Sequence, residues 1–171
     1  MTFFIYSEKI NLVTTSSFFF IVFAIVTFIT RPFTGKIYDN YGENKVMYPV
    51  LLSFTFGLII LGFTHTSMIL LIAAAFIGFG YGTIVPTAQA IAIQRSPANK
   101  MGLATSTFYI FADFGAGMGP FILGIIIPFI GYRHLYMAMG MLVIIALILY
   151  YYVHGSCLLY TSDAADDLLC V

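Results

Sequence analysis

Charge is what this sequence has least of. Asp, Glu, Lys and Arg make up 8% of its 171 residues, against 61% hydrophobic residues and a mean hydropathy of +1.00. Soluble domains carry roughly 25% charged and 45–50% apolar residues, and a chain of this size leaves much of its surface exposed. A water-soluble globule is therefore excluded, and the solvent is lipid. Cysteine is almost missing as well. Cys157 and Cys170 both fall in the last fifteen residues, so neither a disulfide framework nor a cysteine metal site can be argued. His65, His134 and His154 stand singly and far apart, which speaks against a metal or acid–base centre. No glycine-rich loop ending in Lys-Ser or Lys-Thr occurs, so direct use of ATP has no support; no cofactor, nucleic-acid partner or enzymatic constellation is implied. The first ten residues lack a basic start and a small-residue cleavage site, so they are not a signal peptide.

Long apolar runs are what the sequence does have. A helix needs roughly 20 apolar residues to cross a hydrocarbon core of about 30 Å, and five runs of that order stand near 12–32, 46–64, 68–93, 104–130 and 134–153. They are continuous rather than alternating, which favours helices over barrel strands, and helices satisfy their own backbone in lipid. The expected fold class is an all-α membrane protein, a polytopic helical bundle. Pro86, Pro120 and Pro128 lie inside the two longest runs, where tilt or kinks are expected.

The ends depart from this pattern. TFFIY followed by Ser7, Glu8 and Lys9 reads as the end of an earlier span and the loop leaving it. The closing CLLYTSDAADDLLCV breaks in polarity and resembles adapter-derived read-through, so residues 156–171 are expected to be a non-native tail; a short cytoplasmic tail is the alternative. Without that tail, four acidic residues face seven basic ones. Arg31, Lys36, Lys45, Arg95 and Lys100 sit at the first and third connections, while Lys9 and Arg133 sit on the other side. By the positive-inside rule the Gly35 and Arg95 loops and the C-terminus are cytoplasmic, in a multi-pass plasma-membrane protein. Tyr132 and Tyr150 to Tyr152 stand where interfacial rings anchor span ends.

The first connection, RPFTGKIYDNYGENK over residues 31–45, carries spaced Gly35, Asp39, Gly42 and Lys45. Gly35 would let a neighbouring helix come close. Asp39 could accept from a helix N-terminus or pair with Arg31 or Lys45. Gly42 permits the positive φ of a tight turn. Lys45 adds charge at the headgroups. This spacing between two full spans, led by RPFTGKIYD, resembles the loop signature of the major facilitator superfamily, in its bacterial drug-exporter members. That family is built of two repeated halves of roughly six spans each. The resemblance covers residues 1–155 and implies a partial C-terminal half, the eighth to the twelfth spans, whose missing N-terminal half would be its partner. Asn40 and Glu43 depart from the fuller signature, which has basic residues there.

The fourth run reads ATSTFYIFADFGAGMGPFILG and holds Asp113, an acid inside an apolar run. A carboxylate at depth costs about 2.5–3.5 kcal/mol, so it needs a partner, a water-filled cavity or a proton. Desolvation favours the protonated form, which makes Asp113 a candidate for proton exchange or gating. A packing role is the alternative. Gly115 and Gly119 form a small-residue face for helix contact, Pro120 invites a bend, and Gly124 follows. This run resembles the antiporter signature of drug exporters but lacks its closing glycine pair. The third run, GFGYGTIVPTAQA, offers Gly78, Gly80 and Gly82 for sliding contacts. Tyr81 and Gln89, with Phe108, Tyr109 and Phe111 of the fourth run, are candidates to line a site for a hydrophobic or cationic drug. The function implied is proton-coupled efflux of a drug or metabolite by alternating access. A non-transporting membrane subunit is the alternative.

Overall fold

The computed structural model describes residues 13–152, with side chains from Ser17 onward. The expected tail, both cysteines, His154 and residues 1–12 lie outside the described residues. The described residues are helical almost throughout and contain no strand. Helix α1 runs Val13–Tyr41, α2 Glu43–Gly62 and α3 Ser67–Gln94. After a single 3-10 turn at Ala98–Lys100, helical structure continues over Met101–Tyr150. Fifty residues at about 1.5 Å each would reach about 75 Å, more than twice the hydrocarbon core. Gly131, at φ 78° and ψ 160°, breaks that stretch. We call 101–130 α4 and 132–150 α5.

One correction to the expected boundaries bears on the site. The first span, expected to end near residue 32, continues to Tyr41, because Pro32 does not stop the helix. Prolines are tolerated inside membrane helices, where neighbouring groups re-satisfy the freed carbonyl. The charged island therefore is largely the last turns of α1, and the reversal of direction is confined to Gly42, at φ 81°. Within the last helical stretch the backbone is helical at Pro120, and the non-helical residue is Gly131, three positions after Pro128.

Successive helices run antiparallel, so that α1, α3 and α5 end on the same side. At one side of the bundle the end of α1, the start of α2, the end of α3 and the end of α5 meet, through Tyr38 with Gln94, Glu43 with Arg95 and Tyr150 with Asn44. At the other side the Arg133 guanidinium lies over the Phe63 ring, 4.8 Å from its centre. Both basic connections thus share one face, and the His65 turn and Arg133 share the opposite one.

Lipid removes the hydrophobic drive between helices, so close packing falls to small residues. On α3 this is visible on two faces. A Cβ added to Gly80 would stand 2.5 Å from Phe54 Cβ of α2, and one added to Gly82 would stand 2.5 Å from Thr27 Cγ2 of α1. Gly78 lies against the Phe23 carbonyl. The Thr27 hydroxyl donates to the Gly78 carbonyl at 3.0 Å, tying α1 to α3. Phe19, Leu61, Leu70, Ala73 and Ala74 form the buried core beside these contacts. Helix α4 is different: no residue from 101 to 130 is buried among the described residues.

Candidate functional site

A cavity of about 630 Å³ opens between α1 and α3, with Tyr109 of α4 at its edge. Its α1 wall is Phe23, Thr27, Arg31, Thr34, Gly35 and Tyr38. Steps of three or four residues put these side chains on one helical face. Its α3 wall includes Tyr81, Gly82, Pro86 and Gln89. Thr30 and Thr34 turn their hydroxyls back on their own helix, to the Val26 and Thr30 carbonyls at 2.8 and 3.0 Å. The Tyr109 hydroxyl donates to Gln89 Oε1 at 3.1 Å and joins α4 to α3. The rings of Phe23 and Tyr81 stand 6.4 Å apart and form the apolar end of the cavity.

Of the residues singled out in the sequence, the structure brings together Arg31, Gly35, Tyr81, Gln89 and Tyr109 around this cavity. Phe108 and Phe111 lie elsewhere, in a second groove between the end of α3 and the start of α4. Gly35 receives no close helix: nothing among the described residues would meet a Cβ there, and it borders open space instead. Asp39 is exposed and makes no capping bond to α2 and no ion pair with Arg31 or Lys45. Lys45 lies over the Tyr41 ring at 5.0 Å. Gly115, Gly119 and Gly124 also face open space among the described residues, and Asp113 and Pro120 are exposed with them on α4.

Beside the cavity mouth lies a polar ring that sequence reasoning missed. Arg95 donates to Glu43 at 2.9 Å, the Tyr38 hydroxyl to Gln94 at 2.8 Å and the Tyr150 hydroxyl to Asn44 at 2.8 Å. Glu43 sits in the first turn of α2 and Arg95 at the C-cap of α3, so each charge complements its own helix dipole. The Glu43 that departs from the loop signature is thus the residue that makes the ion pair. The stripe Thr27, Arg31, Thr34 and Tyr38 was missed as well, although polar residues recurring every third or fourth position in an apolar run were the signal that could have found it.

Comparison with known proteins fits this arrangement. The sequence model of the Major Facilitator Superfamily matches residues 2–159. Multidrug resistance protein MdtG of Proteus mirabilis is 32% identical over 126 residues, 74% of this chain and 31% of the relative. The fosmidomycin resistance protein of Escherichia coli is 29% identical over 108 residues, 63% of this chain and 26% of the relative. The probable sulfoacetate transporter SauU of Cupriavidus necator is 26% identical over 106 residues, 62% of this chain and 25% of the relative. The chain therefore spans about a third or less of the length of these relatives. No solved structure gives a significant match. With a family match over nearly the whole chain and an all-helical, membrane-length architecture, the chain belongs to the Major Facilitator Superfamily.

Proposed function

We propose that this chain is the C-terminal part of a secondary carrier that exports small organic molecules by alternating access. The observation that carries the reading is the cavity between α1 and α3, lined by a polar stripe within otherwise apolar spans. Membrane helices bear polar side chains at a cost, and such groups gather where a substrate or ion passes. Relatives named for multidrug and fosmidomycin resistance and for sulfoacetate transport support small-molecule cargo of varied chemistry. The open glycine face of α4 at Gly115 and Gly119 is offered to the rest of the carrier, including the N-terminal half. The two basic connections face the cytoplasm on this reading, as the positive-inside rule requires, and the C-terminus with them.

Asp113 is the proposed proton-exchanging or gating group. It stands twelve residues into α4, about 18 Å from its start at 1.5 Å per residue, and one turn beyond Tyr109 on the same face. The test is flux in the complete carrier: inverted membrane vesicles should accumulate amphiphilic dyes under a proton gradient, and a protonophore should abolish the uptake. Folded carrier that moves no compound in a gradient-dependent way would sink the reading.

A further inference from the structure

We propose that the cavity takes an organic anion, with its carboxylate, sulfonate or phosphonate held by Arg31 and an apolar body lying against the Phe23 and Tyr81 rings. This rests on the transport reading and specifies the substrate class of the same cavity. Among the described residues, Arg31 is the only charged one lining it. Because α1 continues to Tyr41, Arg31 lies within the helix rather than at its end, seven residues before Tyr38. That is about 10 Å inside the polar ring at 1.5 Å per residue. Exposed at the cavity, its guanidinium can take a counter-charge. None is supplied by the described residues: Asp39 is exposed near the end of α1, Glu43 is paired with Arg95, and Asp113 makes no ion pair.

The chemistry of the lining selects the ligand. The planar fork of donors on arginine matches a two-oxygen or three-oxygen acid group and stays charged at every working pH. The same charge that attracts the acid group repels a cation. Gln89 accepts from Tyr109 and keeps its amide N–H groups for a second acceptor. The rings of Phe23 and Tyr81 offer faces to an apolar body. A cation could use those faces, but it would meet Arg31 with no carboxylate in the lining to offset it. The proposed anion thus differs from the hydrophobic or cationic drug expected from the aromatic residues.

Two probes with one ring system and opposite charge test this: naphthalene-2-sulfonate and 2-naphthyltrimethylammonium, measured by equilibrium binding to the complete carrier in phosphatidylcholine nanodiscs. The sulfonate should bind at least tenfold more tightly than the ammonium. Arg31→Gln should erase that preference, and Arg31→Lys should retain part of it. Equal or tighter binding of the ammonium, unchanged sulfonate binding in Arg31→Gln, or no binding of either probe would overturn the proposal. If Arg31→Gln fails to fold, the charge preference of the unaltered carrier and the Arg31→Lys value decide. Nanodiscs containing phosphatidylglycerol test the other source of an anion: loss of sulfonate binding there assigns Arg31 to a lipid headgroup and overturns a soluble substrate. Binding needs no gradient, so sulfonate binding without flux defeats transport alone. Gradient-driven flux of the ammonium but not the sulfonate defeats the anion assignment alone.

Discussion

Glu43 and Arg95 meet at 2.9 Å across the start of α2 and the end of α3, closing a ring that also holds Tyr38 to Gln94 and Tyr150 to Asn44. The Arg95 side chain is 52% exposed and that of Glu43 15% exposed. A pair this open is screened by solvent, so its coupling is expected at about 0.2–1 kcal/mol. A double-mutant cycle with Glu43→Gln and Arg95→Gln, read from unfolding of the complete carrier, should return a value in that range that shrinks as salt rises. A coupling of zero at low salt would remove the pair as a brace between the two helices.

Asp113→Asn keeps the shape of the side chain and removes its ability to exchange a proton. In the complete carrier the expected outcome is loss of substrate-linked proton flux with folded yield retained. Vesicle pH measurements during efflux check it. Unchanged efflux with unchanged proton flux would make Asp113 a structural residue.

Glycines on α3 and α4 should respond differently to added bulk. Gly80→Ala puts a Cβ 2.7 Å from Phe54 Cα, a backbone atom that cannot swing away. Overpacking of this kind costs about 1–3 kcal/mol, and the melting temperature of the purified carrier should fall accordingly. Gly119 meets nothing within 4 Å among the described residues. If the proposed docking of α4 against the rest of the carrier holds, Gly119→Leu should lower folded yield; an unaltered melting temperature would leave α4 facing lipid.

Gly42 and Gly131 hold positive φ angles of 81° and 78°, with ψ near the extended value at both. That region is essentially reserved for glycine, and forcing another residue into it costs about 1–3 kcal/mol. Gly42→Ala and Gly131→Ala should each destabilise the carrier by that order in chemical unfolding. At Gly102, where φ is not positive and a Cβ meets nothing within 4 Å, alanine should be tolerated or slightly stabilising.

Much of the architecture was legible before any coordinates. Sparse charge and long apolar runs implied lipid-embedded helices, and the break at Gly131 falls between the fourth and fifth runs. Gly42 was readable as a turn because few residues other than glycine accept its φ. The site was less legible. Tyr81, Gln89 and Tyr109 line the cavity, but Phe23, Thr27, Thr34 and Tyr38 were passed over, and Arg31 was assigned to a loop. The reason is that the apolar run ends at Arg31, where charged residues begin, while the helix itself continues through Pro32 to Tyr41.

The sequence by itself determined the solvent, the helical class, the sharing of one side by the basic connections and the family resemblance. These follow from composition, run length and a short motif, all of which are local. Which faces of the helices meet was decided by the tertiary structure alone. In water an apolar stripe marks the packed side of a helix, but in lipid every side is apolar and the stripe disappears. Close approach then depends on where small residues happen to find partners. Gly78, Gly80 and Gly82 found them on α1 and α2, while Gly115 and Gly119 found none among the described residues. The pairing of Glu43 with Arg95, 52 positions apart in sequence, and the place of Arg31 in the cavity are likewise consequences of how α1, α2 and α3 pack.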